Sequence, residues 1–128
     1  MRYLSFIPNN IICVGFTDQI PQLLRESDCL FLPSYHEGFS YAALEAMASG
    51  CLVLANNVEG IRNLITNHVN GILVDNNDLN TYKEYIELMK SEPEKFLDMR
   101  SEGLIQARKF SRDVFLDSYL IKLKDAIN

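Results

Sequence analysis

Cys29-Leu30-Phe31-Leu32-Pro33-Ser34 is followed by the alanine-rich stretch Tyr41-Ala42-Ala43-Leu44-Glu45-Ala46-Met47-Ala48-Ser49-Gly50 and then by Leu52-Val53-Leu54-Ala55. The two flanking runs are continuously apolar rather than alternating. This means burial on both faces, as in a parallel sheet sandwiched between helices. The stretch between them has helical composition and stops at a glycine, where a helix commonly ends. Strand, helix, strand is the resulting unit.

The same pattern extends in both directions. Upstream, Ile11-Ile12-Cys13-Val14, ended by Gly15, predicts another strand, and Asp18 is placed to cap a turn containing Pro21, Leu23 and Leu24. Downstream, a helix is expected from Glu59 through Leu64 and Ile65, and Ile72-Leu73-Val74, ended by Asp75-Asn76-Asn77, predicts a fourth strand. Alternation with short loops implies right-handed crossovers and an α/β fold, a Rossmann-like parallel sheet flanked by helices. Beyond it the pattern is wholly helical. Asp78 caps a helix with Leu79, Tyr82, Ile86 and Met89 on one stripe, Pro93 opens the next helix, and Ser111 caps the last, with Phe115, Tyr119 and Leu123 on one side. Residues 1–128 thus read as one domain, with strand and helix alternating over about 11–75 and an all-helical C-terminal segment over about 76–128.

The length of 128 residues suits one domain, and the apolar share of 48% with 23% charged residues is that of a soluble globular chain. No run of about 18 apolar residues could span a bilayer. The N-terminus is interrupted by Pro8 and then by Asn9 and Asn10, so it does not read as a secretory signal, and a cytoplasmic location is expected. The net charge is −5, and residues 1–75 hold only Arg2, Arg25 and Arg62 as basic groups. With no basic stripe to follow a phosphate backbone, nucleic acid is excluded as a partner. Cys13, Cys29 and Cys51 lie far apart among apolar neighbours and read as buried core thiols. His36 and His68 have no cysteine or carboxylate at ligand spacing, so neither a metal nor a cofactor is expected.

Ligands of such sheets bind beyond the carboxyl ends of the strands, and residues 33–50 occupy such a place: strand end, loop, helix start. Gly38 lets backbone approach a bound group, and the free amides of the following helix's first turn suit an oxygen-rich anion. Glu37 in the loop and Glu45 in the helix could each accept hydrogen bonds from vicinal hydroxyls, as sugar recognition requires. Both residues also fit a plainer role, Glu37 as a solvated loop acid and Glu45 as an ordinary surface residue. Against this, the small apolar neighbours of Glu45 imply a largely buried helix, where an unpaired carboxylate is costly and calls for a ligand or a protein partner.

These residues resemble the C-terminal domain of the group 1, family 4 retaining glycosyltransferases, which have the GT-B architecture of two Rossmann-like domains. Val14-Gly15-Phe16-Thr17 is similar to that family's strand and base-binding loop, and residues 27–34 to its next strand. Glu37-Gly38-Phe39 through Glu45 and on to Gly50 is similar to its Glu-x7-Glu motif, and Val53-Leu54-Ala55, Gly60 and Asn70-Gly71-Ile72-Leu73-Val74 continue in order. The resemblance implies a nucleotide diphosphate sugar as donor, transfer of a hexose-type sugar to a glycan or glycolipid hydroxyl with retained configuration, no catalytic metal, and a place in polysaccharide biosynthesis. It implies that Glu37 meets the donor sugar, with Gly38, Phe39 and Ser40 offering backbone amides to the sugar or diphosphate. Glu45 would hold the ribose hydroxyls, and Gly15, Phe16 and Thr17 would lie near the nucleobase.

Several positions depart from the family's pattern. Ser40 stands for a usual glycine or proline, and Cys51-Leu52 lacks the customary proline before the strand. Asn63 replaces a glutamate, and Arg112 an aromatic residue. The family's two further strands, whose loops carry an arginine and a lysine for the diphosphate, and its acceptor-binding N-terminal domain have no counterpart in the sequence. A partial GT-B C-terminal domain is therefore expected, without turnover in isolation, completed by an N-terminal domain or a separately encoded subunit through which peripheral membrane association could also arise. The alternative is a non-catalytic module or degenerate remnant that completes another subunit. A flavodoxin-like signalling domain would need an acidic cluster at the end of its first strand, and Val14-Gly15-Phe16-Thr17 has none.

Overall fold

The computed structural model describes residues 8–110, 121 and 123–127. Strand β2, Leu52–Asn56, is buried at every position, and the alternation of its side chains divides the core in two. Val53 and Ala55 meet Ala43, Ala46, Met47 and Ile61 on one face, while Leu52 and Leu54 meet Ile72, Val74, Tyr82 and Phe96 on the other. β2 pairs in parallel with β1, Cys29–Leu32, on one side and with β3, Ile72–Val74, on the other. The sheet order among the described residues is β1-β2-β3. Parallel neighbours need crossovers, supplied by α2, Tyr41–Ala48, and by the short α3, Glu59–Arg62. The expected α/β architecture, a parallel sheet flanked by helices, is the one observed.

Helix α2 begins at Ser40, whose Oγ accepts from the Ala43 amide at 3.2 Å, and it ends at Ser49, before Gly50 at φ 75°. Ala43 and Ala46 are fully buried, so small side chains bring this helix close to the sheet. Truncating a core residue on the sheet such as Leu54 to alanine should cost about 2–5 kcal/mol. Asp78 caps α4, Leu79–Ser91, as expected, accepting from the Thr81 amide at 3.0 Å. The hydroxyl and the amide of Thr81 together hold the Asp78 carboxyl below its ordinary range. The buried face of α4 is Tyr82 with Tyr85, Leu88 and Met89 behind it; Leu79 and Ile86, placed on that stripe by periodicity, are exposed. Pro93 opens a 3-10 turn, Pro93–Phe96, that leads into α5, Leu97–Arg108, which packs on α2. The predicted cap at Ser111, with Phe115 and Tyr119, and Arg112 lie outside the described residues, and Leu123 is exposed.

Four expectations are corrected. Residues 11–14 form no strand: Ile11, Ile12 and Val14 are exposed, and β1 pairs with β2 alone among the described strands. Apolar side chains favour a strand only where a neighbouring backbone completes the ladder. Cys13 is consequently exposed rather than a core thiol, while Cys51 is buried and Cys29 half-buried. Helix α1, Ile20–Arg25, starts from Gln19 without a side-chain cap, and Thr17 Oγ1, not Asp18, accepts from the Gln19 amide at 3.1 Å. The helix expected over 59–65 is the single turn α3, after which Leu64 and Ile65 enter the core from a turn.

Candidate functional site

An open cleft of about 550 Å³ lies beyond the carboxyl ends of β1 and β2. The loop after β1 contributes Tyr35, His36, Glu37 and Gly38 to it; the loop after β2 and helix α3 contribute Asn57, Val58, Glu59 and Arg62. This is where a parallel α/β sheet offers a binding place, because two adjacent strands deliver their loops to the same side. Glu37 is half-buried, and its Oε1 accepts from the Ser34 hydroxyl at 3.0 Å. The second carboxylate oxygen keeps its acceptor capacity for a ligand hydroxyl.

Two glycines here have opposite causes. A Cβ at Gly60 would fall inside the Glu37 carbonyl group and 2.8 Å from the Gly38 carbonyl oxygen, so α3 packs directly on the backbone that carries Glu37. A Cβ at Gly38 would meet nothing within 4 Å, and the residue's φ lies outside the left-handed region. Neither packing nor backbone conformation requires glycine at 38.

Phe39 and Ser40 turn inward. The Phe39 ring packs against the core, edge-on to Tyr41 at 5.1 Å and tilted against Phe110 at 5.7 Å, and buried Ser40 caps α2. The serine that departs from the usual residue therefore serves the helix through its side chain. The first intrahelical bond runs from the Leu44 amide to the Ser40 carbonyl, and the Ala43 amide before it is taken by the Ser40 hydroxyl.

Of the predicted site residues only Glu37 and Gly38 line this cleft. Glu45 is exposed, which corrects the expectation of a buried helix: Ala43, Ala46 and Met47 form the inner side of α2, and Ala42, Glu45 and Ala48 the outer. Glu45 borders one hollow with Ile20, Leu23 and Ala42, and a second with Leu104 and Arg108. Gly15, Phe16 and Thr17 lie in the segment before α1 and do not line the cleft; Phe16 is fully exposed. Asn63 ends α3 and is exposed.

Arg62, Asn57 and His36 line the cleft but were not singled out from the sequence. Arg62 Nη1 donates to Asn57 Oδ1 at 3.3 Å, and Asn57 Nδ2 donates to Asp75 Oδ1 at 2.7 Å, so the guanidinium is held at the cleft wall. The available signal was the strand-end rule itself, which applies to the loop after β2 as much as to the loop after β1.

Similarity to known proteins is consistent with this geometry. The sequence pattern described as Glycosyl transferases group 1 matches residues 4–105. The chain is 33% identical over 106 residues to a D-inositol 3-phosphate glycosyltransferase of Rhodococcus jostii, covering 80% of this chain and 24% of that protein. It is 29% identical over 97 residues to an Escherichia coli UDP-Gal:alpha-D-GlcNAc-diphosphoundecaprenol alpha-1,3-galactosyltransferase, covering 76% of this chain and 24% of that one. An uncharacterized 41.2 kDa protein in the cps region of Klebsiella pneumoniae is 30% identical over 115 residues, covering 87% and 31%. The chain thus spans about a quarter to a third of the length of these relatives. Among solved structures, Anabaena Alr3699/HepE in complex with UDP-glucose superposes with a TM-score of 0.79 at 24% identity, over 88% of this chain and 31% of that one.

Proposed function

Because the chain belongs to the group 1 glycosyltransferase family, we propose that it carries the donor site of a retaining transferase acting in cytoplasmic synthesis of surface polysaccharide or glycoconjugate. The reaction moves a hexose-type sugar from a nucleotide diphosphate to a hydroxyl of a glycan or glycolipid. The observation that carries this reading is Gly38: a glycine beside Glu37, at the mouth of the cleft, that the fold itself does not require. A ligand approaching the backbone gives it a reason. The inward-turned side chains of Phe39 and Ser40 support recognition through their amides.

In this reading Glu37 accepts from the donor sugar's hydroxyls, with Gly38, Phe39 and Ser40 beside it. Glu45 holds the ribose, and Gly15, Phe16 and Thr17 border the base. The UDP-Gal in the name of the Escherichia coli relative and the UDP-glucose bound to the Anabaena protein support a uridine nucleotide as the first donor to try.

Charge limits what the chain does alone. Arg62 is the one arginine or lysine lining the described cleft, and it shares it with Glu37 and Glu59. Departure of a diphosphate requires cations placed against the developing charge. In this reading turnover draws on cations outside the described cleft, such as the arginine and lysine that the family resemblance places in the loops of two further strands, or on those of a second subunit. A non-catalytic module that completes another subunit is the second reading, favoured by the exposed Ile12, Val14 and Phe16 and by the edge of β1.

Calorimetric titration of the folded chain with UDP-glucose tests the donor site. Saturable binding at one site is the expected result; a folded sample that binds neither UDP-glucose nor other nucleotide sugars overturns the reading.

A further inference from the structure

The three strand ends are joined by a run of side-chain hydrogen bonds that reaches from helix α4 to Glu37. The Tyr82 hydroxyl donates to Asn77 Oδ1 at 2.6 Å, and Asn77 Nδ2 donates to the Pro33 carbonyl at 3.0 Å. The Asn77 amide donates to Asn56 Oδ1 at 3.0 Å, and Asn56 Nδ2 donates to the Ser34 carbonyl at 3.0 Å. The Ser34 hydroxyl then donates to Glu37 Oε1. Asn56 ends β2, Asn77 follows β3, and Pro33 and Ser34 follow β1.

Several features make this a defined arrangement rather than a loose surface cluster. Asn56 is 5% exposed, and its amide serves both neighbouring strand ends at once. Asn77 has φ 48°, a left-handed conformation that asparagine adopts more readily than most residues. The Tyr82 ring is fixed edge-on against Phe31 at 4.7 Å, and burial raises its phenol above the usual range, so the hydroxyl stays a donor.

We infer that Asn56, Asn77 and Tyr82 are positioning residues that hold the turn from Ser34 to Glu37 in the shape in which Glu37 meets the donor sugar. The inference rests on the donor-site reading. The clamp fixes the Ser34 backbone, and with it the direction of the hydroxyl that holds one oxygen of Glu37 and leaves the other for the ligand. A hydroxyl on helix α4 and two asparagines at strand ends thereby act on a site that Tyr82 does not touch.

The test uses the full chain and the variants Tyr82→Phe and Asn77→Gly. The first removes one hydroxyl and keeps the buried ring; the second keeps the backbone donor and the left-handed conformation while removing the side chain. Affinity for UDP-glucose should fall about 3–10-fold, as for loss of one or two hydrogen bonds, with affinity for UDP unchanged within about twofold. In carbon-13-labelled protein without ligand, the Glu37 carboxyl and Gly38 resonances should shift in both variants. Equal loss for UDP and UDP-glucose, or a lowered melting temperature with unshifted Glu37 resonances, overturns the inference. If the resonances respond while wild-type protein binds neither probe, the clamp on Glu37 stands and the donor-site reading falls.

Discussion

The α-carbon of Gly60 lies under the Glu37 carbonyl with no room for a side chain between them. Helix α3 is thereby fitted to the loop that carries the cleft's principal carboxylate. A methyl group can be accommodated only by moving backbone, since the groups it would meet are the carbonyls of Glu37 and Gly38. Gly60→Ala should destabilise the chain by about 1–3 kcal/mol in urea unfolding, the usual cost of overpacking. Binding of UDP-glucose should weaken in the same variant because the displaced segment is the one bearing Glu37. Wild-type stability and binding would contradict the packing described.

Gly38→Ala is the converse experiment. Open space surrounds that position, so the variant should fold with a stability within about 0.5 kcal/mol of wild type. Its affinity for UDP-glucose should nonetheless fall, because the added methyl occupies the approach to the backbone. Unchanged affinity would remove the observation on which the donor site chiefly rests.

Much of this arrangement was legible in the sequence, for reasons that also explain the failures. The strands around Leu30, Leu54 and Leu73 were readable from continuous apolarity, although the burial on both faces that it implies holds throughout only for β2, and Phe31 in β1 is exposed. Residues 11–14 have the same composition, yet composition reports a segment that would benefit from a ladder and not whether one is available. The neighbours of Glu45, taken over the whole helix, imply burial, whereas burial depends on the side: Ala46 is inside and Ala42 outside. A count of charges includes Arg62 but carries no position. Asn56 and Asn77 read as punctuation after strands; that their side chains join three strand ends depends on the tertiary register and leaves no local signature.

Burial pushes the Cys29 thiol up to about 12 from its ordinary 9.0, with the neighbouring Cys51 adding to the shift. In the unfolded chain this thiol gives up its proton near 9.0, while the folded chain keeps it until about 12. Between those values the unfolded state binds fewer protons, so stability is fully present below the window and falls as pH rises through it. Urea midpoints at about pH 8 and about pH 10.5 should show that fall, and Cys29→Ala should make it shallower. An equal slope in the variant would locate the loss elsewhere.

The separation of Glu37 and Glu45 supplies the sharpest test of their assigned roles. Glu37 lines the cleft beyond β1 and β2, whereas Glu45 borders hollows against α1 and α5. If the first meets the sugar and the second the ribose, their losses must differ by ligand. Glu45→Ala should weaken UDP and UDP-glucose alike, by about 10–100-fold, as expected for lost hydrogen bonds to a charged group. Glu37→Ala should weaken UDP-glucose on the same scale and leave UDP almost unaffected. Because Glu45 is exposed, its removal should change stability by no more than about 0.5 kcal/mol, so a binding loss there is not a folding effect. Equal effects of the two substitutions on UDP and on UDP-glucose would mean that the two carboxylates do not divide the donor between them.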